Sequence, residues 1–229
     1  MNKGGWARAS VVASGVLGLA FRAAGAEPAA PEPVAPPDPS EATPAPPLRA
    51  SYFAYGAALT GDYLLASGAS CRARAPRPVR FQPCILGSGG GAVLRAGYRA
   101  PGRWYVGGAY QFTRNDSDNL YRLAIMQQLR FESRYLIDTS RRTRPFVLGG
   151  VGGVVYGNEW GVETGGAHAV LGVGFEFDVG RTVLAGMTAA YHPMVLAGFR
   201  DSGGFERPAG VAHYLRVAIH FEVRRPLTR

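Results

Sequence analysis

From residue 50 onward, apolar and polar side chains take turns along the chain, and the run over residues 210–223 is the plainest case. Val211, His213, Leu215, Val217, Ile219, Phe221 and Val223 form one set; Ala212, Tyr214, Arg216, Ala218, His220 and Glu222 form the other. Successive side chains of a strand point to opposite faces, so a period of two marks a strand with one greasy face and one ionic face. The run is longer than the globular norm of about five or six residues. It matches the roughly 9–11 residues with which a tilted strand crosses a bilayer.

Seven earlier segments repeat the pattern, at about residues 51–65, 89–99, 103–113, 120–137, 145–156, 167–179 and 182–192. In the first, Phe53, Tyr55, Ala57, Leu59 and Tyr63 share a face. In the fourth, Tyr121, Leu123, Ile125, Leu129, Phe131 and Tyr135 oppose Arg122, Gln128, Arg130, Glu132 and Arg134. A 3.6-residue helical period would mix those two sets, so a helix is excluded there. In the sixth, Leu171, Val173, Phe175 and Phe177 oppose His168, Glu176 and Asp178. The glycine-rich fifth segment leaves its facing open.

The connections alternate in length. Long ones cover about residues 66–88, 114–119, 157–166 and 193–209; short ones cover 100–102, 138–144 and 180–181. Eight antiparallel strands with short turns at one end and long loops at the other predict an all-β, up-and-down transmembrane barrel over residues 50–229. Aromatic residues near the strand ends (Tyr98, Trp104, Phe177 and Phe221 at one rim; Tyr63, Phe112, Tyr121 and Tyr191 at the other) predict two interfacial girdles.

The N-terminal region reads differently. Residues 1–26 combine a basic start (Lys3, Arg8), an apolar run from Val11 to Phe21 and the small-residue sequence Ala24-Gly25-Ala26, the layout of a secretory signal peptide. Residues 27–49 hold nine prolines, from Pro28 to Pro47, and predict a disordered periplasmic linker with an extended, polyproline-like reach of about 70 Å. Export puts both termini on the periplasmic side and the long loops outside the cell.

Signal peptide, eight strands and four outer loops together resemble the small outer-membrane barrels of the OmpA, OmpX and OmpW type. The resemblance covers about residues 50–223 and rests on architecture. It implies an outer-membrane location and a structural or surface-interaction role through the loops. In its OmpW-like form it implies instead a narrow channel for small apolar molecules.

Charge changes this picture little. The net charge is +9, yet Lys3 is the only lysine, and the arginines are scattered over loops and one strand face. Nothing gathers them into a nucleic-acid footprint, and none is expected. The ionic face supplies a lumenal set: Arg95, Arg122, Gln128, Arg130, Glu132, Arg134, Glu176, Asp178, Arg216, His220 and Glu222. An eight-stranded barrel has an interior just wide enough for side chains, so these charges are expected to pair and plug it, with a narrow ion path as the alternative.

Cys71 and Cys84 are the only cysteines and are expected to form one disulfide across the first long loop. Between them Arg72, Arg74, Arg77 and Arg80 form a candidate contact for lipopolysaccharide phosphates or an acidic surface partner, against a merely solvated loop. No metal site or cofactor is expected. Catalysis requires a hydroxyl, a histidine and a carboxylate in register. His168, His192 and His213 fall near the outer rim, with Asp201, Ser202 and Glu206 in the last loop, but nothing in the sequence fixes their geometry; no enzyme is expected, and an outer-membrane lipid-modifying hydrolase is the remaining alternative.

Overall fold

A computed structural model describes residues 50–72, 84–117, 121–137, 142–159, 161–201 and 204–227. The expected signal peptide, the proline-rich linker, Arg74, Arg77, Arg80 and Ser202 lie outside the described residues.

The strands are β1 (Tyr52–Ala66), β2 (Gly89–Arg99), β3 (Trp104–Asn115), β4 (Ala124–Leu136), β5 (Thr143–Asn158), β6 (Thr164–Asp178), β7 (Val183–Leu196), β8 (Phe199–Arg200), β9 (Glu206–Arg207) and β10 (Gly210–Pro226). Eight of them close into a barrel in the order β1-β10-β7-β6-β5-β4-β3-β2, all neighbours antiparallel. Closure leaves no unpaired sheet edge, which is what lets a sheet stand in hydrocarbon.

The period of two holds around the barrel. Along β10, Leu215, Val217, Ile219 and Phe221 face out, while Tyr214, Arg216, Ala218, His220 and Glu222 are buried inside. Leu59 of β1, Leu129 of β4 and Leu171 of β6 are 74%, 66% and 64% exposed on the exterior. A soluble monomer does not carry so continuous an apolar belt. The inversion, greasy outside and ionic inside, is stable where the surroundings are lipid.

Several boundaries differ from the sequence pattern. The fourth strand starts at Ala124, because the Ser117 hydroxyl accepts the Tyr121 N–H (3.1 Å) and the Asn158 side chain accepts the Leu123 N–H (3.3 Å), bending that segment out of the sheet. Tyr121 therefore does not join the outer girdle; it is buried, with Tyr156 beside it at 5.8 Å between ring centroids. β5, β7 and β10 run beyond the alternating segments, to Asn158, Leu196 and Pro226. The last long loop contains the two-stranded ribbon β8–β9.

Loop residues close the end of the barrel that carries the long connections. A short 3-10 turn, Gly68–Cys71, packs against the start of β10. Gly68 has φ of +60°, and a Cβ there would lie 2.1 Å from the Val211 carbonyl oxygen, so the approach requires glycine. Beyond the disulfide, Ile85 and Leu86 are fully buried against Met126, Tyr156, Met194, Leu196 and Tyr214.

Candidate functional site

The lumen is the place where this chain concentrates chemistry, and strand alternation puts it there. Inward positions of β2, β4, β6 and β10 deliver Arg95, Arg130, Glu132, Arg134, Glu176, Arg216 and Glu222, all buried. They form two clusters. In the inner one, Glu132 accepts from Arg130 (3.1 Å) and Arg134 (3.1 Å) and lies 3.9 Å from Arg95. Glu222 bridges Arg134 (2.6 Å) and Arg95 (3.3 Å). Arg130 also donates to the Gln111 side-chain oxygen (3.2 Å), which leads to Asp62 and its partner Arg216 (2.5 Å). The Arg134 guanidinium additionally lies over the Tyr105 ring, 4.6 Å from its centroid.

The second cluster sits toward the short-turn end. Arg99 pairs with Glu176 (2.5 Å), Arg144 with Asp178 (2.5 Å) and Glu176 (3.5 Å), and Arg224 with Asp178. Above both, on the long-loop side, lies the apolar cap around Ile85 and Leu86. Glycine makes room for part of the filling: a Cβ on Gly186 would come within 2.5 Å of the His220 ring nitrogen.

Of the sequence-predicted set, Arg122 does not enter the lumen. It precedes β4, its side chain is 87% exposed, and it reaches Glu159 at 3.4 Å. Asp178 is partly exposed at the barrel end and His220 is fully buried. Asp62, Arg99, Arg144 and Arg224 belong to the network but are absent from the predicted set. The inner alternation of β1 (Ala54, Ala58, Thr60, Asp62) and of β2 (Arg95, Arg99) carried the signal for two of them. Arg144 and Arg224 sit where the pattern places a turn and a tail.

Cys71 and Cys84 are disulfide-bonded, with Cα atoms 4.5 Å apart. Arg207, donating to Asp201 (2.7 Å) and to the Cys71 carbonyl (3.3 Å), ties the last loop to the first. Arg72 is exposed beside the disulfide. Tyr156 donates to the Ile85 carbonyl and Tyr121 to the Glu163 carboxylate. Burial, reinforced by the bond to Glu163, pushes the Tyr121 phenol far above its ordinary range.

Among the described residues, His168, His192 and His213 are not brought together with a hydroxyl and a carboxylate. His168 and His192 stack inside the barrel, rings 5.9 Å apart and 10° from parallel, with no hydrogen-bonded hydroxyl or carboxylate among the described residues. His213 is on the outer face, bonded to the Tyr191 hydroxyl (2.5 Å). Asp201 is committed to Arg207, and Glu206 to Arg200 (3.1 Å). Among the described residues no group of three or more metal-ligating side chains comes together.

Neither a protein-family model nor a curated protein sequence matches the chain. Solved structures do. The outer membrane protein AlkL is 10% identical, with 86% of this chain and 99% of that one covered at a TM-score of 0.57. The outer membrane protein OprG from Pseudomonas aeruginosa is 14% identical, with 77% and 97% covered at 0.51. At such identities the likeness is one of fold, and it coincides with the closed ring of strands and the apolar exterior described above. The chain thus has the architecture of the small eight-stranded outer-membrane β-barrels.

Proposed function

We propose that this protein resides in the outer membrane, with both termini periplasmic, as a non-enzymatic, non-conducting barrel that works through its outer loops. The observation that carries the reading is the filled lumen: arginines and carboxylates from β1, β2, β4, β5, β6 and β10 interlock across it, each almost fully buried except Asp178. An ion would have to break several short charge pairs to pass, and each pair is worth far more in this setting than at a surface. At the loop end, exposed Arg72, Arg114, Arg122 and Arg200 suit lipopolysaccharide phosphates or an acidic surface partner, because guanidinium groups pair bidentately with phosphate. Reconstitution into planar bilayers tests the closed lumen: no steady unit conductance is expected, and reproducible single-channel steps would overturn it.

A second reading has its own support. The apolar cap around Met126, Met194 and Leu196 is filled by Ile85 and Leu86 from a loop, and a loop can be displaced. A small apolar molecule replacing those two side chains would make the mouth a narrow, OmpW-like entrance. Uptake of such a molecule by vesicles carrying an Ile85→Ala, Leu86→Ala variant, above that of vesicles without protein, would favour it; equal uptake would dismiss it.

A further inference from the structure

The inner lumenal cluster does not balance. Arg95, Arg130, Arg134 and Arg216 share three carboxylates, Asp62, Glu132 and Glu222, through the pairs described above. Among the described residues one positive charge is left over, and an arginine cannot shed it by giving up a proton. The turn-side cluster is also short of one carboxylate, but its Asp178 side chain is 18% exposed, so solvent ions reach it. The inner cluster has the other cluster below it and the apolar cap above it. A lone charge sealed in such a place is costly.

The surplus has a location. Arg216 of β10 and His192 of β7 are inward residues of paired strands, one inward position apart, His168 stacks on His192, and Arg216 donates to Gln128, the inward neighbour of Arg130 on β4. Arg216 spends Nε and Nη2 on Asp62 and Gln128, while its Nη1 has no hydrogen-bond partner among the described residues. Neither nitrogen of His168 or of His192 has one either, although these rings are 4% and 0% exposed. These unspent donors sit on the inward faces of β6, β7 and β10, and Arg130 is buried on the inward face of β4. A metal cation does not suit the place, since the imidazoles stack in parallel and two guanidinium groups stand beside them. Water would satisfy the N–H groups without touching the surplus charge. Only an anion does both.

We propose that the lumen holds one small monovalent anion, of halide or similar size, between Arg130, Arg216 and the His168–His192 pair. It would be the missing counter-charge of the inner cluster, enclosed when the barrel closes. This goes beyond the non-conducting reading and does not depend on what the loops bind.

The test uses the full chain, folded into detergent micelles at pH 8, where unperturbed histidines are uncharged. Thermal unfolding is followed by gel mobility while bromide replaces gluconate at constant ionic strength. The midpoint should rise with bromide and then level off, as one-site linkage requires. Arg130→Gln removes the surplus charge and should abolish the rise; Arg130→Lys keeps the charge and should retain it. Crystals grown in bromide should show one anomalous peak beside Arg216 Nη1. A wild-type midpoint indifferent to bromide, a rise of equal size in Arg130→Gln, or a bromide peak confined to the exterior would each overturn the proposal. If Arg130→Gln fails to fold, the wild-type bromide series and the anomalous peak still decide it.

Discussion

Glu132→Gln is the sharpest perturbation of the lumenal network. Glu132 is fully buried, accepts from Arg130 and Arg134 at 3.1 Å each and neutralises part of Arg95 at 3.9 Å. The amide keeps the shape and removes the charge, so three guanidinium groups are left to share Glu222 and their neighbours. Breaking a buried pair by removing one partner costs about 3–5 kcal/mol. With a urea slope of about 2 kcal/mol/M, the unfolding midpoint in micelles should fall by about 2 M. The control is Glu206→Gln, whose pair with Arg200 is well exposed and worth less than about 1 kcal/mol. Adding Arg130→Gln to Glu132→Gln returns the charge balance to that of the wild type and should restore part of the loss. Equal midpoints for Glu132→Gln and Glu206→Gln would mean that the lumen is wet enough to screen its charges and that no sealed ion-pair network exists.

Other consequences are open to direct measurement. Leu129→Arg, on the exposed exterior of β4, should cost about 2–4 kcal/mol in the equilibrium of folding into lipid vesicles, and no cost there would contradict a lipid-facing wall. Replacing Cys71 and Cys84 by serine removes a cross-link worth about 3 kcal/mol in the chain-entropy model, and should speed protease cleavage between those positions while the barrel strands stay protected. Tyr121 lies outside the strands and its phenol ionises later in the folded protein than in the unfolded chain. Its contribution is therefore full below about pH 10 and is lost as pH rises beyond, so wild type should lose more stability than Tyr121→Phe between pH 9 and 12.

Much of the barrel can be read from the sequence because its physics is local. A wall one residue thick between lipid and a charged interior forces alternation, and β2 spans residues 89–99 as the pattern predicts. Strand ends are set elsewhere. Leu120, Tyr121, Arg122 and Leu123 alternate in sequence as well as any strand, yet a serine and an asparagine from other positions capture the N–H groups of Tyr121 and Leu123, and Arg122 ends in solvent. Arg144 and Arg224 were hidden for the converse reason: pairing with neighbours lengthens β5 and β10 past the alternating apolar run. That Ile85 and Leu86 of a polar, proline-rich loop fold back over the mouth is a tertiary outcome, secured by Tyr156 and the disulfide.

Nitroxide scanning along β10 in lipid vesicles reads directly which way the side chains look. Labels placed singly at 217, 219 and 221 should collide freely with dissolved oxygen and hardly at all with a water-soluble nickel chelate. Labels at 216, 218, 220 and 222 should be shielded from oxygen, giving a period of two. Oxygen accessibility highest at the positions of Arg216, His220 and Glu222, or without any two-residue period, would mean that the apolar face does not meet lipid.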